Sequence, residues 1–276
     1  MKTALVLSFK AMLFFSSWSA QSAQLPCGAK VGGEWDFGKV PSACDVRPFH
    51  THDFVISQYG PILFEDARSA DNGREAYMGQ MYPVARDMAQ YYIRRRNPAV
   101  TKAEEEAFAH AIYSVITQES MWTHYRRGED GIVRSMRGDS LHGYGLMQID
   151  DRFHTEDINK GKGVDLASNM LMGLDEYYAN WVRSAGVRCV KSRTDWQARA
   201  RSAWSAYNGG PGNICRWSRA KNRHAKKDAS YKSNYLGKRW LALVADVNAP
   251  AALDVRCLAE GRRPCVVSGR QLSSAE

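Results

Sequence analysis

Apolar residues recur at intervals of three and four over long stretches of this chain, the spacing of one face of an α-helix. The clearest run begins after Thr101-Lys-Ala-Glu104, which has the form of a capping box: the Thr hydroxyl takes a free backbone amide and the Glu reaches back to the cap. Behind it, Ala107, Phe108, Ala111, Ile112, Val115 and Ile116 make one stripe. Upstream, helical patterning begins at about Met81. It returns from about Val164 to Ser184, with Leu166, Met170, Leu174, Tyr177, Tyr178 and Trp181, and again from Trp196 to Tyr207. Residues 239–248 read as a last short helix, and the tail 268–276 (SGRQLSSAE) as a disordered end. By contrast, residues 24–75 keep no sustained period and read as an extension stapled to a domain, without a core of its own. The expected class is predominantly α, an α+β chain whose helical domain carries a small Gly-rich β-hairpin. The expected layout is a leader at 1–23, a disulfide-stapled extension at 24–79, the helical domain at 80–248, and a C-terminal disulfide loop and tail at 249–276.

Composition changes this picture little: 44% of the 276 residues are hydrophobic and 24% charged, which excludes wholesale disorder. No apolar run reaches about 18 residues, so no helix is expected to cross a membrane. The formal net charge of +9 is more telling, since it favours acidic partners such as nucleic acid, an anionic membrane surface or an anionic cell-wall polymer. The N-terminus narrows that choice. Lys2 and Lys10 lie beside the brief apolar run AMLFFSSW, and Ala20, Ser22 and Ala23 offer small residues for cleavage, the layout of a secretory leader. A buried N-terminal helix would need a longer apolar run. Export places the protein in the periplasm or outside the cell, argues against nucleic acid, and leaves wall polymer as the leading partner of an expected monomer.

Six cysteines, Cys27, Cys44, Cys189, Cys215, Cys257 and Cys265, all follow the leader and agree with an oxidising compartment. Sequence alone leaves many pairings open. Proximity favours Cys27–Cys44, Cys189–Cys215 and Cys257–Cys265. A zinc site lacks its usual spacing, because no CxxC pair occurs and His50-x-His52 stands alone. Neither a metal nor an organic cofactor is expected.

Candidate chemistry begins where the strongest apolar stripe ends. Continued from Ile112 and Val115–Ile116, the stripe lands on Glu119. A carboxylate at the rim of an apolar face is poorly solvated, which raises its pKa toward the value that a general acid needs near neutral pH. The plain alternative is a Glu that ends a helix in solvent. Further on, Gly138-Asp139-Ser-Leu-His-Gly143-Tyr-Gly145-Leu-Met-Gln-Ile-Asp150 sets two aspartates around a glycine-rich turn. A Glu facing two such Asp suits inverting glycoside hydrolysis, with one carboxyl protonating the leaving oxygen and a carboxylate opposite activating water. Isolated loop aspartates also commonly cap turns.

Three stretches, ITQES around Glu119, HGYGLMQID at 142–150 and SAYNGGPGN at 205–213, resemble the goose-type lysozymes and their relatives, the soluble lytic transglycosylases. The likeness covers about residues 80–240. It implies a lysozyme-like fold, with Glu119 as the catalytic acid and Tyr207 and Asn208 lining the cleft beside it. It also implies sugar contacts from Tyr144, Met147 and Gln148, although a Met in such a hairpin also fills cores. Tyr231 and Tyr235 both fit the family's late cleft tyrosine, and Tyr235 is favoured because it heads the final helix. GLMQID, with Asp139 eleven residues before Asp150, is closer to the lysozymes, whose two Asp position or activate water. The stretch between Glu119 and Asp139 is longer than the family pattern and holds Arg126, Arg127, Glu129 and Asp130. If it lines a subsite, Glu129 and Asp130 would favour de-N-acetylated glycan; the alternative is that they offset neighbouring arginines on a solvated loop. The resemblance thus implies a muramidase acting on the β-1,4 bond between N-acetylmuramic acid and N-acetylglucosamine in peptidoglycan. A lytic transglycosylase forming 1,6-anhydro ends and a non-catalytic wall-binding protein are the alternatives. Residues 216–239 carry nine Lys or Arg against Asp228 alone, either a solvated face or a wall-binding one. Within that run Trp217 and Trp240 would stack on sugars or, more simply, pack in the core.

Overall fold

The computed structural model describes residues 42–67 and 70–267, together with three two-residue strands, β1 (Cys27–Gly28), β2 (Glu34–Trp35) and β3 (Gly38–Lys39). The expected leader and the 268–276 tail lie outside the described residues. The chain is mainly helical, an α+β fold. Strand β4 (Ala43–Asp45) leads to helix α1 (His52–Tyr59), strand β5 (Phe64–Glu65) and the long helix α2 (Ala70–Arg96). Helix α3 (Lys102–Ser120) follows, then strands β6 (Tyr125–Arg127), β7 (Val133–Gly138), β8 (Gly143–Tyr144) and β9 (Ile149–Asp150). Helices α4 (Thr155–Asn159), α5 (Leu166–Ser184), α6 (Trp196–Gly209), α7 (Ala225–Gly237) and α8 (Val255–Ala259) complete the described chain. The main sheet runs in the order β1-β4-β7-β6-β5, antiparallel except for β5 and β6, and β8 and β9 continue from β7 as a hairpin.

Helix α3 is the centre. Thr101 Oγ1 accepts from the Glu104 amide at 3.2 Å, the cap that the sequence foretells. The predicted stripe from Ala107 to Ile116 is fully buried, but Ala109, Tyr113, Ser114 and Thr117 are buried as well. A helix covered on nearly all sides is a core element, not a surface one. Its hydroxyls cope by bonding back along the helix: Ser114 to the His110 carbonyl, Thr117 to Tyr113 and Ser120 to Ile116. Packed around α3 are α2, α6 and α7, and α5 lies against α6.

Three expectations change. Helix α2 starts at Ala70, not near Met81, and runs through Pro83. The expected boundary at 79/80 therefore falls inside one helix. Val55, Tyr59, Ile62, Phe64 and Met78 join the same core as α3, so the segment before it is part of the domain and not an appendage. Residues 239–248 give only a 3₁₀ turn at Arg239–Leu243, and the C-terminal loop carries its own short helix, α8. That loop docks at the start of α5, where Asp165 caps the helix through Ser168 N, accepts from Tyr59 OH at 2.7 Å and pairs with Arg263 at 3.4 Å.

All three local disulfides are present: Cys27–Cys44, Cys189–Cys215 and Cys257–Cys265. Cys27 and Cys44 face each other across β1 and β4. Cys189 and Cys215 lie 26 residues apart and close the loop that leads into and out of α6. Replacing both by Ser is expected to cost about 2–4 kcal/mol, because the unfolded chain regains the freedom of that loop. Thermal unfolding of oxidised protein measures it, and an unchanged midpoint would contradict the loop's role. Among the described residues no helix is long and apolar enough to cross a membrane.

Candidate active site

Helix α3 delivers Glu119 from its last turn. The chain then reverses through Met121 and Trp122, both with left-handed backbone (φ 51° and 65°). The Trp122 indole N–H donates to Thr117 Oγ1 at 2.9 Å and its carbonyl accepts from Tyr77 OH at 2.6 Å, so the reversal is held from two sides. Glu119 keeps some solvent contact, yet crowding by protein pushes its carboxyl up to about 7. The Lys227 ammonium of α7 and the side-chain amide of Asn208 on α6 pull it down; the charge of Asp139 pushes it up. Near neutral pH this carboxyl is therefore protonated in a large share of molecules.

Asp139 stands where β7 gives way to a turn. Asp139, Ser140 and Leu141 all have positive φ (44°, 57° and 79°), a conformation costing roughly 1–3 kcal/mol at each non-glycine residue unless the surroundings enforce it. Arg137 helps enforce it, donating from Nε to the Leu141 carbonyl at 3.0 Å. The hairpin β8–β9 is fastened underneath. Asn169 of α5 accepts from Met147 N at 2.9 Å and donates to the Tyr144 carbonyl at 2.8 Å, and His124 Nδ1 accepts from Leu146 N at 2.9 Å. Burial holds His124 down at about 4, which keeps that acceptor nitrogen unprotonated. Gly145 is required here: its φ is +66°, and a Cβ would sit 2.5 Å from His124 and 2.8 Å from Asn169.

Asp150 ends this hairpin, and Arg152, a residue the motif reading passed over, joins it to Asp139. The guanidinium Nε lies 2.9 Å from Asp150 Oδ1 and Nη2 lies 2.5 Å from Oδ2, while Nη2 also pairs with the Asp139 carboxylate. Bonds from the Arg152 side chain hold Asp150 below the usual carboxylate range. Asp139 is the more open of the two, with 66% of its side chain exposed against 24% for Asp150, so water reaches it freely. Tyr207 feels the charges of both Glu176 and Glu119 and donates its hydroxyl to the Met147 carbonyl at 2.6 Å. Glu176 of α5 pairs with His154; burial pushes Glu176 up, against the pull of His154. Glu119, Asp139, Asp150, Tyr207 and Asn208 thus belong to one constellation, with Arg152, Lys227, Glu176 and His154 added by the structure.

Gln148 lies over the glycine pair that joins β7 to β8. Its Nε2 donates to the Gly145 carbonyl at 2.8 Å, and a Cβ at Gly143 would come within 2.3 Å of its Oε1. Two of the other expected contacts are packed inside the protein. Tyr144 and Met147 are buried. The Tyr144 ring carries the Arg137 guanidinium 3.5 Å from its centroid, and Met147 fills the space left by Gly173 of α5. Tyr235 is half-buried on α7, next to Asn234, whose side-chain amide donates to Gln118 Oε1 at 3.2 Å, so this stretch of α7 lies against the end of α3 that carries Glu119. Tyr231 is in the core, bonded to Tyr177 OH at 2.8 Å and to the Ala111 carbonyl at 3.2 Å.

Glu129 and Asp130 form the tip of the β6–β7 hairpin, next to Val133, whereas Asp139 follows the other end of β7, about 16 Å along the strand. Asp130 pairs with Arg134 at 2.5 Å, which pulls it down to about 2. Arg127 pairs with Glu65 at 2.7 Å and Arg126 with Asp66 at 3.2 Å. The longer segment is thus a charge-balanced hairpin on the sheet and not a cleft wall, which removes the basis for a deacetylated-glycan preference. Trp240 is buried against Tyr113 and Trp122, and Trp217 donates to Ser202 at 2.8 Å beneath Arg201, so neither offers a stacking face. A cavity of about 460 Å³ between α2 and Val255 of α8 lies apart from this constellation. Comparison of the chain with protein-family models, with curated proteins and with solved structures finds no match.

Proposed function

We propose that the protein is a peptidoglycan hydrolase, a muramidase cleaving the β-1,4 bond between N-acetylmuramic acid and N-acetylglucosamine with inversion. The observation that carries this reading is a carboxyl group at Glu119 with a pKa of about 7 that feels the charge of Asp139, which one arginine ties to Asp150. Glu119 would give its proton to the glycosidic oxygen as the C1–O bond breaks. Water would attack C1 from the opposite face, its hydroxyl going to the sugar and its proton to the Asp139–Asp150 pair. Tyr207 and Gln148 would contact the glycan. The likeness of the three motifs to goose-type lysozymes supports the same chemistry. Its three disulfides suit an exported enzyme, periplasmic or secreted, acting as a monomer on glycan strands.

Two ionisations set the expected pH dependence. Activity requires Glu119 protonated, so kcat/KM falls as pH rises through about 7. It also requires Asp150 ionised, so the acid-side loss begins only below the usual aspartate range. In Arg152→Met, Asp150 loses the bonds that lower its pKa, and the acid-side inflection moves to higher pH. An inflection that stays in place would contradict the role given to Arg152.

A second reading, a lytic transglycosylase, draws support from the same arginine. Its grip weakens Asp150 as a base, and Glu119 alone would then serve as acid and afterwards as base while the muramoyl 6-hydroxyl attacks C1. A third, a wall-binding protein without activity, is separated by a simple assay. Purified insoluble peptidoglycan is incubated with the protein and soluble fragments are measured. The enzymatic readings require release by the wild type and its loss in Glu119→Gln. Sedimentation with the wall and no release by either form leaves only the binding reading.

A further inference from the structure

We infer that Arg216 is a positioning residue of the Glu119 site: seated in the core by Asp228, its guanidinium fixes the Asn208 side chain so that the NH₂ group faces Glu119. Arg216 follows Cys215, the partner of Cys189, and begins the 3₁₀ turn Arg216–Ser218. The sequence places it in a basic surface run, yet it is only 2% exposed. Nη2 reaches Asp228 Oδ1 at 2.6 Å and Nε reaches Oδ2 at 3.1 Å. Asp228 also accepts from Asn222 Nδ2 at 2.6 Å, which fixes the carboxylate that fixes the guanidinium.

The same Nη2 lies 3.3 Å from Asn208 Oδ1. A guanidinium can only donate, so the carbonyl end of the Asn208 amide must turn toward Arg216. Its NH₂ end then points the other way, where the Asn208 side chain acts on Glu119 and pulls its carboxyl down, as only a donor does. An amide without this partner has a second, flipped orientation, which would set its oxygen against the Glu119 carboxylate. Gly209 gives the arginine room, since a Cβ there would lie 2.5 Å from Arg216 Nη1. The first glycine of the Asn-Gly-Gly run therefore does more than end a helix. The other charged and titratable groups acting on Glu119 are Lys227 of α7 and Asp139 after β7, with the buried Tyr207 hydroxyl on α6, and none of these is altered below.

The inference deepens the proposed hydrolase reading, but its test needs no substrate. The Glu119 carboxyl is titrated by ¹³C NMR in the full chain, its signal assigned by its loss in Glu119→Gln. Arg216→Met together with Asp228→Leu removes equal and opposite charges, a replacement that buried ion pairs often tolerate. This pair should raise the Glu119 midpoint by about half to one pH unit, the effect of one lost hydrogen bond. Asn208→Ala should give the same rise, and the two combined should give no more, because both act through one bond. Gly209→Ala, whose methyl displaces the guanidinium, is the check if the paired variant does not fold, and should also raise the midpoint. An unchanged midpoint in the paired variant or in Gly209→Ala, or a further rise on top of Asn208→Ala, would overturn the inference. A wild type inactive on peptidoglycan would instead overturn the hydrolase reading and leave this result standing.

Discussion

Glu119→Gln is expected to lower the rate of peptidoglycan solubilisation at least about a hundredfold, the lower end for loss of a general acid. The substitution keeps size and hydrogen-bonding capacity but cannot release a proton to the glycosidic oxygen. The fold should survive, because Glu119 occupies the last turn of α3 and its surroundings already accommodate the neutral form in about half of the molecules near pH 7. An amide in place of a buried carboxyl also relieves desolvation, so the unfolding midpoint should hold or rise. A variant of normal stability and wild-type lysis would remove Glu119 from the chemistry.

The second large effect separates the two enzymatic readings. Asp139→Asn combined with Asp150→Asn should also cost about a hundredfold or more in hydrolysis, since no carboxylate remains to take the proton of the attacking water. Arg152 is what makes the single variants weaker tests. It holds both carboxylates, so each single variant still leaves one of them on the arginine as a poorer substitute for the pair. A transglycosylase predicts otherwise. There Glu119 takes both proton-transfer roles, and the double variant should keep most of its rate. Initial rates of fragment release, measured on one batch of purified wall, distinguish the outcomes.

The sequence reveals those parts of the fold and site that depend on local spacing. The α3 stripe, its Thr101 cap and the β8–β9 glycine hairpin all follow from residues a few positions apart, and each is present. The three short-range disulfides are likewise present. Glu119 was legible because an apolar stripe leads straight to it, and burial is what raises its pKa. What stayed hidden depends on burial and pairing that no periodic spacing records. Arg216 and Asp228 read as members of a solvated basic run, and only the packing of α7 on α6 brings them together in the core. Arg152 carries no periodic signal, and its importance comes from the turn that returns Asp139 to Asp150. Glu129 and Asp130 were misplaced because proximity in sequence to Asp139 hides the length of β7 between them. The extension before residue 80 looked coreless because its apolar residues are scattered among short elements. Yet Val55, Tyr59 and Phe64 each find the common core.

The central claim, that water and not a sugar hydroxyl completes the cleavage begun by Glu119, is tested most directly by mass spectrometry of the glycan ends released from purified peptidoglycan. The hydrolase reading predicts hydrated, reducing N-acetylmuramic acid ends from the wild type and no release by Glu119→Gln. Ends that carry 1,6-anhydro-N-acetylmuramic acid would contradict it.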